Sequence, residues 1–160
     1  MPILETHHLL WPDEAACEAF AGRLAVCHEL MDASIELHGA LGAGKTSFVR
    51  HLLRALGVTG RIKSPSYAVL ESYELPQGEA IHHFDFYRFA DPREWEEAGF
   101  RELFAAPGLK LSEWPEKAAG MLPVADLQVG LAVQDDDSRA VTLTAGTARG
   151  VSMLESLFAS

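Results

Sequence analysis

A glycine-rich segment, Gly39-Ala-Leu-Gly-Ala-Gly-Lys-Thr46, constrains the fold of this chain more than any other feature. It fits the pattern G-x-x-x-x-G-K-[ST], whose glycines let consecutive backbone N–H groups turn toward phosphate oxygens. Such a loop requires a strand before it and a helix after it. The strand-like run Ser34-Ile-Glu-Leu-His38 precedes the segment, and a helical stripe that stops at Gly57 follows it: Phe48, Val49, Leu52, Leu53 and Leu56. The pattern therefore predicts a phosphate-binding loop.

The last residues of this loop have distinct expected roles. Lys45 is expected to reach the terminal phosphates of a nucleotide. The hydroxyl of Thr46 would bind Mg²⁺, and Ser47 would add a hydrogen bond to phosphate. The helix that begins here adds the positive end of its dipole, which also favours an anion.

Two carboxylates stand at the ends of predicted strands. Asp85 follows the run 81–84 and is the candidate carboxylate on the metal side of the site, the alternative being a solvated aspartate in a hairpin. Glu113 follows the run 108–112 and either ligates Mg²⁺ or orients the attacking water, the alternative being an ordinary surface glutamate. His82 and His83 alternate faces on their strand, so they cannot jointly chelate one ion.

Composition and charge limit the class of protein. The chain has 160 residues, of which 23 are acidic and 13 basic, so its formal charge is -10. This charge opposes direct binding to nucleic acid or to anionic lipid. No apolar run is long enough to span a membrane, and the N-terminus lacks the pattern of a secretion signal, so we expect a cytoplasmic protein without membrane contact. Cys17 and Cys27 show no metal-binding or disulfide pattern and are expected to be buried thiols.

The remaining pattern predicts alternating helices and strands. Helical spacing after a cap at Asp13 predicts a first helix with the apolar stripe Ala16, Phe20, Leu24, Cys27 and Met31. Strands are predicted over residues 67–73 and 80–86, joined by a turn at 76–78, and over 127–134 and 140–144, joined by a turn at 135–138. Short helices are predicted over 91–97 and 151–158. This order predicts an α/β fold with a partly antiparallel sheet and no internal domain boundary.

Four motifs in this order resemble those of the TsaE family, also called YjeE: the glycine-rich segment, Lys63-Ser-Pro-Ser-Tyr67, His83-Phe-Asp-Phe-Tyr-Arg88 and Glu113-Trp-Pro115. The resemblance implies a single three-layer domain over residues 1–160, with a P-loop NTPase-like mixed β-sheet flanked by helices. It also implies an Mg²⁺-dependent ATPase, weak alone, of the bacterial machinery that makes threonylcarbamoyladenosine next to the tRNA anticodon. The implied partners are the TsaB and TsaD proteins. On this reading ATP hydrolysis resets their complex, and tRNA is involved only indirectly.

The resemblance also implies the positions that contact the nucleotide. The nucleotide loop corresponds to Gly42, Ala43, Gly44, Lys45, Thr46 and Ser47. Thr46 and Glu113 correspond to Mg²⁺ contacts, Asp85 to the strand-end aspartate, and Glu14 and Arg139 to positions that border the nucleotide. The segment Ser64-Pro-Ser66 resembles a switch-like loop of the family.

The chain departs from the family pattern at two positions. Ala40 stands where the family usually has aspartate, so any orienting role of that carboxylate is missing and turnover is expected to be weaker. Ser66 replaces a threonine, which keeps the hydroxyl and loses a methyl group.

Other classes of protein share parts of this pattern. A small-molecule kinase would use the same loop, but it needs an acceptor pocket and usually an arginine-bearing lid, for which no spare arginine cluster is evident. The chain has no asparagine, so it lacks the N-K-x-D guanine signature of a GTPase. A third possible class is a module that binds ATP without hydrolysing it. The basic positions Arg50, Arg54, Arg61 and Lys63 are interpreted as a solvated or protein-contacting face, the alternative being a local contact with tRNA, which the negative overall charge disfavours.

Overall fold

The computed structural model describes residues 3–159, which form one mixed sheet and the helices that pack on it. The strands, in chain order, are β1 Glu5–Trp11, β2 Ser34–His38, β3 Leu70–Glu74, β4 Ala80–Asp85, β5 Leu109–Glu113, β6 Leu127–Val133 and β7 Arg139–Ala145. The α-helices are α1 Glu14–Ala25, α2 Lys45–Leu56, α3 Glu94–Glu97, α4 Phe100–Ala105 and α5 Ala148–Leu157. Short 3-10 helices lie at His28–Asp32 and Pro115–Ala118.

The sheet has the strand order β1-β7-β6-β2-β5-β4-β3. The central strands β6, β2, β5 and β4 are mutually parallel, whereas β1, β7 and β3 are antiparallel to their neighbours. The parallel strands therefore end at a common edge, where ligands of open α/β sheets usually bind. The glycine-rich loop, Asp85 and Glu113 all lie at this edge because they end or follow β2, β4 and β5.

Helices cover both faces of the sheet, as the three-layer prediction requires. On one face, buried residues of α1, α2 and α5 pack on the strands in a single core that includes Phe20, Phe48 and Leu154. On the other face, Phe84 packs against Phe100 and Phe104 of α4, with ring centroids 5.0 and 4.8 Å away. The predicted fold, an α/β domain with a mixed sheet flanked by helices, is confirmed.

Several elements match the sequence prediction closely. β2 spans the predicted residues, and α2 stops at Gly57, whose φ of 105° suits a helix C-terminus. The side chain of Asp13 caps α1 by accepting a hydrogen bond from the backbone N–H of Ala16 at 2.9 Å. Both predicted hairpins form, β3 with β4 and β6 with β7.

The first helix is shorter than its apolar stripe predicts. It ends at Ala25, and Cys27 and Met31 lie beyond it. The chain tightens there into i→i+3 hydrogen bonds, in which Leu30 N–H donates to Cys27 O. Because 3-10 spacing returns side chains to one side every three residues, Leu30 is buried with Cys27, whereas Met31 is only half-buried.

Other boundaries differ for local reasons. The hairpin strand predicted from residue 67 begins at Leu70, because Val69 has a φ of 70° and cannot continue an extended strand. The predicted helix over 91–97 is helical only at Glu94–Glu97, while Asp91 accepts a hydrogen bond from Arg93 N–H in a preceding turn. The last helix begins at Ala148 rather than at 151, because Thr147 caps it. Strand β1 and helix α4 were not predicted from the sequence.

Three further expectations concern the cysteines, membrane-spanning helices and the domain organisation. Cys17 and Cys27 are buried free thiols, as expected. No helix within residues 3–159 has the length and apolarity needed to cross a membrane. The expected single domain over residues 1–160 stays a prediction, and Met1, Pro2 and Ser160 lie outside the described residues.

Candidate nucleotide-binding site

The glycine-rich loop joins β2 to α2 at the carboxyl edge of the sheet. Gly42 and Gly44 have φ values of 80° and 107°, which other residues rarely adopt. At Gly39 the backbone passes so close to β6 that an added Cβ would lie 2.7 Å from the carbonyl oxygen of Leu131. The shape of the loop therefore requires these glycines. The first N–H groups of α2 have no partner within the helix and lie at its N-terminus, next to the loop.

Lys45, the first residue of α2, is buried and held at the centre of the loop. Its Nζ donates a hydrogen bond to Gly39 O at 2.6 Å. The same Nζ lies 3.7 Å from the ring centroid of Trp114, a cation–π distance. Burial lowers the pKa of Lys45, and the negative charges of Glu113, Glu116 and Asp85 oppose that shift. The ammonium group thus lies inside the curve of the loop among carboxylates.

Thr46 and Glu113 meet across the edge of the sheet. The hydroxyl Oγ1 of Thr46 donates to the carboxylate of Glu113, at 3.0 Å from Oε1 and 3.2 Å from Oε2. Glu113 Oε2 also lies 2.6 Å from Nε2 of His83, and the two side chains are 3% and 1% exposed. A buried carboxylate therefore faces the first turn of α2 with a hydroxyl beside it.

Asp85 ends β4 beside this pair. It is directly paired in register with Glu113 of β5, and its carboxylate accepts a hydrogen bond from Tyr87 N–H at 3.0 Å. Burial raises the pKa of Asp85, the Tyr87 N–H opposes that rise, and the charge of Glu113 adds to it. The two carboxylates thus repel each other within one buried cluster.

Two cavities lie along the loop and share Gly42, Gly44 and Ser47 as walls. The smaller, of about 260 Å³, contains the charged end of the site, with Lys45, Thr46, Asp85 and Glu113 in its lining. The larger, of about 460 Å³, extends past Ala43 toward α1 and is lined by Glu14 and Arg139. Every residue predicted for the site therefore lines one of two adjoining cavities, although the residues come from distant parts of the sequence.

Arg139 and Glu14 are tied to neighbouring elements. Arg139, the first residue of β7, donates from Nε to Ala43 O at 2.8 Å and from Nη1 to Asp137 O at 2.6 Å. It therefore links the β6–β7 turn to the glycine-rich loop. Oε1 of Glu14, the first residue of α1, lies 2.6 Å from Nε2 of His51 in α2. This contact joins α1 to α2 beside the larger cavity.

The switch-like segment also reaches the site. Ser66 lines the smaller cavity, and its carbonyl oxygen accepts a hydrogen bond from Arg88 Nε at 3.0 Å. The hydroxyl groups of Ser64 and Ser66 lie 2.8 Å apart. The segment 64–66 therefore borders the charged end of the site.

Sequence reasoning did not anticipate the roles of His83 and Trp114 in this geometry. The strand alternation that separates His82 from His83 also places His83 on the same face as Asp85, and this signal was available. Trp114, which contacts Lys45, has a left-handed backbone conformation with a φ of 55°, and no sequence pattern predicted it. Both residues became neighbours of the loop only through the order of the strands.

The donor set fits a magnesium ion better than a metal enclosed by protein. No group of three or more histidine, cysteine, aspartate or glutamate side chains within residues 3–159 is arranged to hold a metal ion. Magnesium, however, is commonly bound by one or two protein oxygens together with substrate phosphates. The adjacent oxygens of Thr46 and Glu113 are hard ligands of this kind.

The sequence of this chain is similar to that of known proteins. The family described as "Threonylcarbamoyl adenosine biosynthesis protein TsaE" matches residues 11–141. The tRNA threonylcarbamoyladenosine biosynthesis protein TsaE of Haemophilus influenzae is 40% identical over 147 residues, which are 89% of this chain and 92% of that protein. The protein of the same name from Bacillus subtilis is 36% identical over 114 residues, 69% of this chain and 68% of its own.

A solved structure shares the whole fold. The crystal structure of Bacillus subtilis YdiB aligns with a TM-score of 0.80 and 26% sequence identity, covering 98% of this chain and 97% of the other. The matched family region begins at Trp11 in the wall of the larger cavity and includes both cavities' charged residues up to Arg139. With the sequence match spanning the glycine-rich loop, Asp85 and Glu113, this chain belongs to the TsaE family.

Proposed function

We propose that this chain binds ATP with Mg²⁺ and hydrolyses it in the biosynthesis of threonylcarbamoyladenosine in tRNA. The observation that carries the proposal is the contact between Thr46 and Glu113 at the end of a glycine-rich loop, beside a buried lysine. The names of the relatives support the pathway. The loop and its cavities support a nucleotide as the ligand.

The loop and Lys45 would bind the phosphates. The free N–H groups at the start of α2 and the helix dipole stabilise negative charge. Nζ of Lys45 lies inside the loop at 2.6 Å from Gly39 O, so it is already close to where the terminal phosphates would lie. Exchanging this carbonyl for a phosphate oxygen replaces a neutral acceptor with a charged one, which forms a stronger hydrogen bond.

Thr46 and Glu113 would hold Mg²⁺ through their oxygens. Bound there, the ion would offset charge that develops on the phosphates during transfer to water. Glu113 is buried, so its charge is weakly screened by solvent and attracts a cation strongly. Asp85, beside it, would orient water or the metal's hydration shell at the same edge.

The larger cavity would take the rest of the nucleotide. Glu14 and Arg139 line it, and Arg139 also fixes the loop carbonyl of Ala43. Arg139 would therefore both border the nucleotide and keep the loop in shape. We propose that residues 1–160 work as a single P-loop ATPase domain.

The ATPase would act on a complex of the TsaB and TsaD proteins and not on the base itself. The net charge of -10 supports an indirect relation to tRNA, since phosphate backbones repel such a chain. We place this activity in the cytoplasm with the other steps of the modification. Hydrolysis that depends on these partners would distinguish this role from that of a small-molecule kinase.

Calorimetry with ATP and Mg²⁺ on the full chain tests the proposal. We expect a heat of binding for the wild type and none for Lys45→Ala, with Arg50→Ala on the same helix as a charge-matched control that binds normally. ADP release is then measured with and without the two partner proteins. Absence of any interaction with purine triphosphates, or phosphate transfer to a small acceptor, would contradict the proposal.

A further inference from the structure

A second side chain holds the carboxylate that we propose binds Mg²⁺. Nε2 of His83 lies 2.6 Å from Oε2 of Glu113, and both side chains are almost completely shielded from solvent. His83 is in β4 and Glu113 in β5, displaced by two residues along the parallel pair. The contact is therefore set by the register of the sheet.

The surrounding groups indicate which side chain donates the hydrogen bond between His83 and Glu113. A carboxylate only accepts hydrogen bonds, so Nε2 carries the proton and donates it to Glu113. Within the described residues 3–159, no partner reaches the buried Nδ1 of His83. The contact with Glu113 is therefore the hydrogen bond that orients the ring of His83.

The contact with His83 has a specific consequence for the carboxylate. It fixes the orientation of the Glu113 side chain from the β4 side of the sheet. Thr46 Oγ1 lies 3.0 Å from Oε1 and 3.2 Å from Oε2, so the hydroxyl approaches both oxygens. His83 holds Oε2, and Oε1 is the oxygen nearer to the hydroxyl with which a cation would be shared.

We propose that His83 is a positioning residue that orients Glu113 for Mg²⁺, an inference that rests on the proposed function. Carboxylates that ligate metals are commonly held by such outer hydrogen bonds, and their loss typically lowers metal affinity by about 10- to 100-fold. His83 does not itself touch the nucleotide or the ion. Its effect is expected in the Mg²⁺ dependence of binding, not in the affinity for nucleotide alone.

The main test compares two variants by calorimetry with ADP, once in EDTA and once over a series of Mg²⁺ concentrations. His83→Leu fills similar volume without a donor, and His83→Gln restores an N–H donor. Mg²⁺ is expected to increase the affinity for ADP, and the Mg²⁺ concentration that gives half of this increase is the Mg²⁺ midpoint. We expect His83→Leu to raise the Mg²⁺ midpoint about 10- to 100-fold. The affinity of His83→Leu for ADP in EDTA is expected to stay within about threefold of that of the wild type. His83→Gln is expected to have an Mg²⁺ midpoint within about threefold of the wild-type value.

His82→Leu is the matched control. His82 is the adjacent histidine of the same strand, but it faces the opposite side of the sheet and contacts Ser72 through Nδ1 at 2.8 Å. This variant is expected to leave the Mg²⁺ midpoint unchanged. A shift as large as that of His83→Leu would mean that any change in β4 disturbs the site, and it would overturn the inference.

A measurement on the wild type makes the test independent of whether variants fold. Nitrogen-15 NMR of the histidine rings is expected to show His83 protonated at Nε2, with a shift on adding Mg²⁺ to the ADP complex and no shift of His82. An unmoved His83 signal overturns the inference, as does an unchanged Mg²⁺ midpoint in His83→Leu or an equal loss in His83→Gln. A wild type that binds no nucleotide contradicts instead the proposed function.

Discussion

Thr46 and Glu113 are 67 positions apart in the chain, yet the hydroxyl of one lies 3.0 Å from the carboxylate of the other. The contact forms because β5 lies beside β2, so the end of β5 meets the start of the helix that follows β2. It joins the first turn of α2 to a buried carboxylate.

Replacing Glu113 with alanine is expected to separate binding from turnover. Glu113→Ala keeps the loop and Lys45, so nucleotide binding in EDTA is spared, whereas ATP hydrolysis falls by about 100-fold or more because a group acting in the transition state is lost. ADP release with the partner proteins measures turnover, and thermal unfolding checks the fold. The exposed Glu97→Ala serves as control, and normal hydrolysis by Glu113→Ala would refute a catalytic role.

Restoring an aspartate at position 40 tests the departure from the family pattern. Ala40 is exposed in the loop, so an added carboxylate meets no packing barrier. Ala40→Asp is expected to raise the ATPase rate, or to leave it unchanged, when measured with the partner proteins. Ala40→Asn separates charge from size, and a clear loss of activity in Ala40→Asp alone would contradict this interpretation.

Gly39 is expected to be intolerant of a side chain. Gly39→Ala would place Cβ 2.7 Å from Leu131 O in β6, so either the loop or the strand must shift. Gly60→Ala is the matched control, because it also has a positive φ, of 79°, but has open space around it. We expect Gly39→Ala to lower the free energy of unfolding by about 1–3 kcal/mol more than the control. Equal denaturant midpoints for both variants would show that the close approach does not matter.

The buried thiol of Cys17 is expected to react slowly in the folded protein. Burial, aided by the charge of Glu14, raises its pKa from 9.0 to about 12. Near pH 8 this leaves about a thousandfold less of the reactive thiolate than in the unfolded chain.

Alkylation with iodoacetamide, followed by mass spectrometry, measures this difference, with the urea-unfolded chain as reference. The raised pKa means that the folded state holds its proton more tightly. Stability contributed by this group is therefore complete below pH 9 and declines as pH rises toward 12. Equal labelling rates in folded and unfolded protein would show that the thiol is not protected.

The local features of this protein could be predicted from its amino-acid pattern. Glycine spacing and the residues Lys45 and Thr46 defined the loop, and periodicity located β2, α2 and both hairpins, because turn chemistry and side-chain alternation act over a few residues. It failed where local conformation broke the pattern, as at Val69, and where an element had weak periodicity, as in β1.

Which elements lie next to one another became known from the assembled sheet and not from the amino-acid pattern. No local rule places β5 between β2 and β4, and this order brings Glu113 to Thr46 and His83 to Glu113. Likewise, β1 at the sheet edge leads into the wall of the larger cavity at Trp11. Strand order is set by the burial of whole faces and by backbone pairing across long separations, so the carboxylate cluster exists only once the sheet is assembled.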